Sequence, residues 1–355
     1  MPGGDSSEPP MNKTTQNTLL AGAGLAVAGH FLSRSLRKAD LRGQAVLITG
    51  GSRGLGLALA REFAKQGCRL ALCARTGEDL DAARADLEAR GADVMTYVCD
   101  VSDPTQVGQM VDAVAESLGR IDVLVNNAGI ISVGPVQDMT RQDFEDALAV
   151  DFWGVLNPIL AVLPQMRERK SGRIVTITSI GGKVSIPHLL PYSCAKFAAT
   201  ALSEGLRAEL ARDGITVTTI VPGLLRTGSY FNALFKGDKP AEFAWFGLGD
   251  NLPGLSISAE RAAREIVGAT RRGDAERILS VPANVLALIH GLAPGVMSNL
   301  MKLVNLVGLP APSGDDSGRT TSLGKDVADQ VPAKPAFDAL TVLVQAAAER
   351  LNQGA

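Results

Sequence analysis

Residues 45–49, AVLIT, form an unbroken apolar run of strand length, and comparable runs recur at residues 69–74, 93–99, 122–125, 174–178, 216–221 and 277–281. Short runs that are apolar on both faces mark strands buried inside a parallel sheet. Helical spacing fills several of the gaps between them: from the end of the first run to residue 66, over 104–118, over 141–169, and around 192–196. This alternation predicts an α/β fold of the doubly wound kind. It has a seven-stranded parallel sheet with helices on both faces, and ligands bind at the carboxyl ends of the strands.

The pattern changes at both ends of the chain. Residues 1–42 form an N-terminal tail in which 18–32 is an uncharged apolar run of about fifteen residues, shorter than the roughly 20 a spanning helix needs. Asp5 and Glu8 precede it, and Arg34, Arg37, Lys38 and Arg42 follow. An inserted helix would therefore leave the main domain on the cytoplasmic face, anchored through 18–32. A cleavage site at Ala26-Val27-Ala28 and a helix packed on the protein body are the alternatives. The catalytic domain is expected over 43–282, with a substrate loop at 224–257. Residues 283–310 form an apolar helical extension whose one charged side chain is Lys302, and it either covers the pocket and a neighbouring subunit or rests in a membrane interface. Residues 311–335, rich in Gly, Asp and Ser, are expected to be a flexible linker, and 336–355 a C-terminal amphipathic helix.

Charge and cysteine content narrow the picture only by exclusion. A net charge of −2 gives no electrostatic case for nucleic acid. The four cysteines (Cys68, Cys73, Cys99, Cys194) have neither C-x-x-C spacing nor a histidine partner. They read as small apolar residues in a reducing compartment, and no metal site is expected.

The candidate chemistry begins directly after the first strand, at Gly50, Gly51, Ser52, Arg53, Gly54, Leu55 and Gly56. A glycine-rich turn between strand and helix lets backbone approach a pyrophosphate, and the free N–H groups of the helix start favour its charge. The second strand ends in Ala74-Arg75, where NAD-binding domains usually place a carboxylate for the ribose 2′-hydroxyl. Arg75 and Arg53 instead suit a 2′-phosphate, so NADP(H) is expected over NAD(H). In the helix after residue 179, Tyr192 and Lys196 are four apart and share one face. A cation at that range lowers a phenol's pKa by about 1–3 units, toward a value useful in general acid/base work. Ser179, at the end of its strand, is placed to hydrogen-bond the same substrate oxygen.

Taken in order, these motifs resemble the short-chain dehydrogenase/reductase family over roughly residues 43–281. The resemblance implies a Rossmann fold and an NAD(P)-dependent enzyme acting on CH–OH groups. It implies that residues 49–56 bind cofactor phosphate, that Asp100 and Val101 border the adenine with Asn126, Asn127, Ala128 and Gly129 behind it, and that Pro222, Gly223 and Thr227 lie near the nicotinamide. Tyr192 is then the general acid/base, Lys196 lowers its pKa and holds the nicotinamide ribose, and Ser179 orients the substrate oxygen. A dimer or tetramer through the long central helices is implied as well. One departure stands out: the family usually has asparagine where this chain has Asp151, in Asp151-Phe152-Trp153-Gly154. A carboxylate beside Lys196 should alter the pH profile.

The segment after Thr227 carries six of the chain's fifteen aromatics in seventeen residues: Tyr230, Phe231, Phe235, Phe243, Trp245 and Phe246. Either they line a pocket for a steroid-, retinoid- or lipid-like ketone, aldehyde or alcohol, or they pack the loop onto the core. The expected function is NADP(H)-dependent interconversion of such an apolar carbonyl and its alcohol. The alternative is a catalytically silent cofactor-binding regulator or membrane scaffold on the same fold.

Overall fold

The computed structural model describes residues 38–251 and 254–353. The apolar run at 18–32 lies outside them, and so does the anchor reading built on it. Strands β1 (Ala45–Thr49), β2 (Arg69–Ala74) and β3 (Val94–Val98) alternate with helices α1 (Gly54–Lys65), α2 (Gly77–Glu88) and α3 (Pro104–Leu118). Strand β4 (Val123–Asn126) and a short β5 (Ser132–Val133) lead into α4 (Arg141–Leu148). A five-residue π-helical segment, Ala149–Trp153, joins it to α5 (Gly154–Glu168). Then come β6 (Gly172–Ile177), α6 (Leu190–Glu209) and β7 (Ile215–Val221).

The remaining elements are β8 (Leu224–Arg226), β9 (Leu234–Phe235), α7 (Lys239–Asn251), β10 (Ser256–Ser258), α8 (Ala259–Arg272) and β11 (Glu276–Ile278). They are followed by α9 (Val281–Leu292), α10 (Pro294–Gly308), β12 (Ser322–Leu323), α11 (Gly324–Val327) and α12 (Lys334–Arg350).

Seven strands pair in parallel in the order β11-β7-β6-β4-β1-β2-β3. The chain moves outward from β1 to β3, then crosses back and starts again at β4. This leaves a crevice at the carboxyl ends of β1 and β4, where such sheets bind ligands. The pleat explains the all-apolar runs. Ala45, Leu47, Leu124, Ile174 and Val217 pack with Met110, Val114, Ile159 and Met166 of α3 and α5 in one core. The alternate positions Val46, Ile48, Leu70 and Leu72 are equally buried and face the other layer of helices.

A second core gathers Tyr230, Phe231, Phe235, Phe243 and Phe246 with Val327, Val331, Phe337, Val344 and Ala348. One expectation is corrected here, and one open alternative is narrowed. Residues 311–335 are not a flexible linker: β12 pairs antiparallel with β9, and Val327 and Val331 are buried among the rings. Their polar composition outweighs two apolar anchors, one helical turn apart but too few to read as an amphipathic element. The aromatics of 224–257 mostly pack against one another, with Phe243 between Tyr230 at 5.0 Å and Phe337 at 5.7 Å. Of the six, only Trp245 and Phe246 reach the cavity described next. The described residues from Leu41 onward form one compact unit, so the C-terminal helix is part of the main body.

Candidate active site

One cavity of about 530 Å³ runs along the carboxyl ends of the strands. At one end it is walled by the turn between β1 and α1: Gly50, Ser52, Arg53 and Leu55. Gly50 has φ +61°, and a Cβ there would meet Ala128 Cα at 2.9 Å, so the close approach of the two loops requires glycine. Asn127 stitches them together: its Nδ2 donates to the carbonyls of Thr49 and Gly50 at 3.1 and 3.0 Å, and Thr49 Oγ1 accepts from the N–H groups of Asn127 and Ala128. Helix α1 has no acidic residue in its first turn and no side chain capping its start. These features fit a pyrophosphate at that position.

Arg75 is exposed on the cavity rim, beyond the end of β2, and has no ion pair among the described residues. Arg53 is less free, 3.7 Å from Asp79 and donating to Asn232 Oδ1 at 3.0 Å. Asp100, Val101, Ala128 and Gly129 continue the wall, which then reaches Ser179, Tyr192, Lys196, Pro222, Gly223 and Thr227. Of the cofactor and catalytic candidates, Gly51, Gly54, Gly56, Asn126 and Asp151 stand behind the lining.

The far end holds the titratable groups. Helix α6 places Lys196 Nζ 5.6 Å from the centre of the Tyr192 ring. The ammonium donates to the Ile177 carbonyl at 3.3 Å and forms a buried ion pair with Asp151 Oδ1 at 3.0 Å. That contact is close but poorly aligned, so neither Asp151 oxygen has a well-formed hydrogen bond. Asp151 sits within the π-helical segment, an irregularity that often marks functional positions. A Cβ on Gly129 would come within 2.5 Å of Asp151 Oδ1, so only glycine admits the carboxylate there.

The electrostatics correct one expectation. Tyr192 is half-buried, open to the cavity and otherwise enclosed by protein. Burial pushes its phenol above the ordinary value. Lys196 and the neighbouring Ser179 hydroxyl pull it back down, while Asp151 and Asp250 oppose that pull. The net direction in the free protein is therefore up, because spacing reveals the cation but not the loss of water. Burial also disfavours the Lys196 ammonium, yet the charges of Asp151 and Tyr192 outweigh it and raise its pKa. Burial raises Asp151 as well, with Lys196 acting against it.

Ile186, Leu189, Trp245, Phe246, Asp250 and Leu286 surround the Tyr192 end. Ile186, Leu189 and Asp250 carry no signal in the sequence. At the phosphate end, the segment after α12 closes onto the glycine turn. The Leu351 carbonyl accepts from Gly54 N–H at 2.7 Å, Asn352 Nδ2 donates to the Ser52 carbonyl at 3.2 Å, and Gln353 lines the cavity. These contacts span some 300 residues of chain, beyond the reach of any local pattern.

The family profile described as short chain dehydrogenase matches residues 44–233. A dehydrogenase/reductase SDR family protein 7-like of Anopheles gambiae is 38% identical over 269 residues, covering 74% of this chain and 83% of that one. Dehydrogenase/reductase SDR family member 7B of Bos taurus is 32% identical, covering 74% and 82%. Among solved structures, a gluconate 5-dehydrogenase from Burkholderia cenocepacia, in complex with NADP and tartrate, has a TM-score of 0.61 at 27% identity, covering 71% of this chain and 99% of that one. An NAD+-bound xylitol dehydrogenase has a TM-score of 0.59 at 28% identity, covering 68% and 99%.

Proposed function

The chain belongs to the short-chain dehydrogenase/reductase family of NAD(P)-dependent oxidoreductases, and on that premise we propose that it interconverts an apolar ketone or aldehyde with its alcohol, using NADP(H). The observation that carries this reading is the convergence of Ser179, Tyr192 and Lys196 on the cavity that the glycine turn opens at its other end. When bound, the nicotinamide supplies or accepts the hydride. In the reducing direction Tyr192 gives its phenolic proton to the carbonyl oxygen, Ser179 orients that oxygen, and Lys196 stabilises the phenolate left behind. Asp151 keeps the lysine charged despite its burial. The choice of NADP(H) is supported by the unengaged Arg75 and by the absence of a carboxylate at the end of β2. The two cofactor-bound relatives hold NADP and NAD+ respectively, so they do not decide it.

Loss of the Tyr192 hydroxyl tests the reading. Tyr192→Phe should lower kcat for apolar ketones by about 10²–10⁴-fold, the range general acid/base catalysis contributes, while NADPH still binds. Equal rates in the two proteins would exclude the proposed chemistry, and no turnover by either would leave the catalytically silent alternative standing.

A peripheral membrane location belongs to the same reading. Helices α9 and α10 expose Val281, Leu292, Leu306 and Val307 at 70–79%, and Lys302 is their one charged residue. Such a surface suits the interface of a bilayer, and Leu286 of α9 reaches the cavity wall, so an apolar substrate could enter from lipid. The protein should float with phosphatidylcholine vesicles in a density gradient, and replacing Leu292 and Val307 with Ser should release it. Flotation unaffected by both changes excludes this surface.

A further inference from the structure

Buried carboxylates among the described residues come with partners, with one exception. Glu242 accepts from Trp245 Nε1 at 2.5 Å and meets His188 Nδ1 at 2.7 Å, Asp138 accepts from Ser313 Oγ at 2.7 Å, and Asp151 pairs with Lys196. Asp250, near the end of α7, is 4% exposed and has neither a hydrogen bond nor an ion pair among the described residues. It lines the Tyr192 end of the cavity amid Leu224, Leu225, Trp245 and Phe246. Burial alone pushes its pKa up to about 8.

An unpartnered carboxyl in an apolar wall destabilises the fold, and no hydrogen bond or ion pair among the described residues offsets that cost. Its place facing the reactive tyrosine's cavity gives it a use. We infer that Asp250 is the distal polar anchor of the substrate subsite, and that the substrate is an apolar carbonyl compound carrying a hydroxyl at the end away from the reacting carbon. The inference rests on the reading of this cavity as the substrate site. A carboxyl kept protonated donates through its O–H and accepts through its C=O, which a hydroxyl answers on both counts. A plain hydrocarbon end would leave it unpaired, and a cationic amine would have to shed its water to enter the same apolar wall.

The test uses straight-chain 2-ketones from six to twelve carbons, each with and without a terminal hydroxyl. Binding to the protein–NADPH complex is followed by quenching of Trp245 in a Trp153→Phe background, and turnover by NADPH absorbance. At the optimal length the hydroxylated ketone should bind about tenfold more tightly, a single hydrogen bond's worth. Asp250→Leu should reverse that preference, and Asp250→Asn, which keeps a donor and an acceptor, should retain most of it. The same preference in wild type and Asp250→Leu overturns the inference, as does a wild type that binds neither series. If Asp250→Leu does not fold, loss of the preference in Asp250→Glu, which moves the carboxyl by a methylene, supports the inference and its persistence there overturns it. Discrimination in binding without NADPH consumption would sink the oxidoreductase reading and keep the subsite. Turnover of both series with no dependence on Asp250 would do the opposite.

Discussion

The half of the molecule that holds the cofactor motifs and the half that caps the substrate end are built on different principles. Residues 41–223 assemble by strand–helix repetition, each element packing against neighbours in a regular order. Their site residues lie where strands end, at the turn after β1, the Asn127 stitch after β4 and Ser179 after β6. Residues 224–353 have little of that regularity. Their core joins rings and aliphatics from β9, α7, α11 and α12, segments separated by up to about a hundred residues. On the proposed reading, the chemistry is carried by the half whose geometry follows from repetition, and substrate selection by the half whose geometry follows from packing.

If the cap is a true core, its central ring should matter as much as any residue in a sheet. Phe243 is fully buried and packs on Tyr230, Phe231, Phe235 and Phe337. Phe243→Ala should cost about 3–5 kcal/mol, read as a lower urea midpoint. A loss below about 1 kcal/mol would mean that the rings form a loose lid, and the comparison would dissolve.

The same contrast explains what could be read from the chain beforehand. The runs at 45–49 and 69–74 coincide with β1 and β2, because a strand buried on both faces announces itself within five residues. The Tyr192 and Lys196 pair was visible because one turn of helix fixes their separation. The docking of α12 was not, since it depends on contacts such as Val344 N–H to Asn251 Oδ1 at 3.1 Å, across 93 residues. Asp250 gave no signal either, because a lone carboxylate on an apolar helix face has no motif. The upward direction of Tyr192 was missed for a related reason: spacing specifies charges, whereas burial belongs to the whole fold.

The cofactor half should respond to single changes locally. Arg75 is exposed, so its attraction for a 2′-phosphate is partly screened by water and salt. Arg75→Ala should weaken NADPH binding by about tenfold and leave NADH unchanged, the lower end of what charge-assisted hydrogen bonds contribute. Fluorescence titration with both cofactors at low and high salt measures it. Equal losses for NADPH and NADH would assign Arg75 a structural role and remove the basis for preferring NADP(H).

The smallest effect is expected at Asp151, where the two halves' logics meet in one side chain. The carboxylate raises the Tyr192 pKa directly, against the lowering by Lys196, and burial sets the overall upward direction. Asp151→Asn removes one of the raising influences, so the phenol should titrate at lower pH. Reduction of a ketone needs the protonated phenol, so its alkaline limb should move down. Oxidation of an alcohol needs the phenolate, so its acid limb should move down as well, and the oxidation rate near neutrality should rise. Lys196 loses its partner in the same change and its own pKa falls, because burial is then opposed by Tyr192 alone. Bell-shaped kcat/KM profiles in both directions read the two limbs separately. Profiles that coincide with wild type would place Asp151 among purely structural residues, and a shift toward higher pH would mean that the weakened lysine, not the lost carboxylate, controls the phenol.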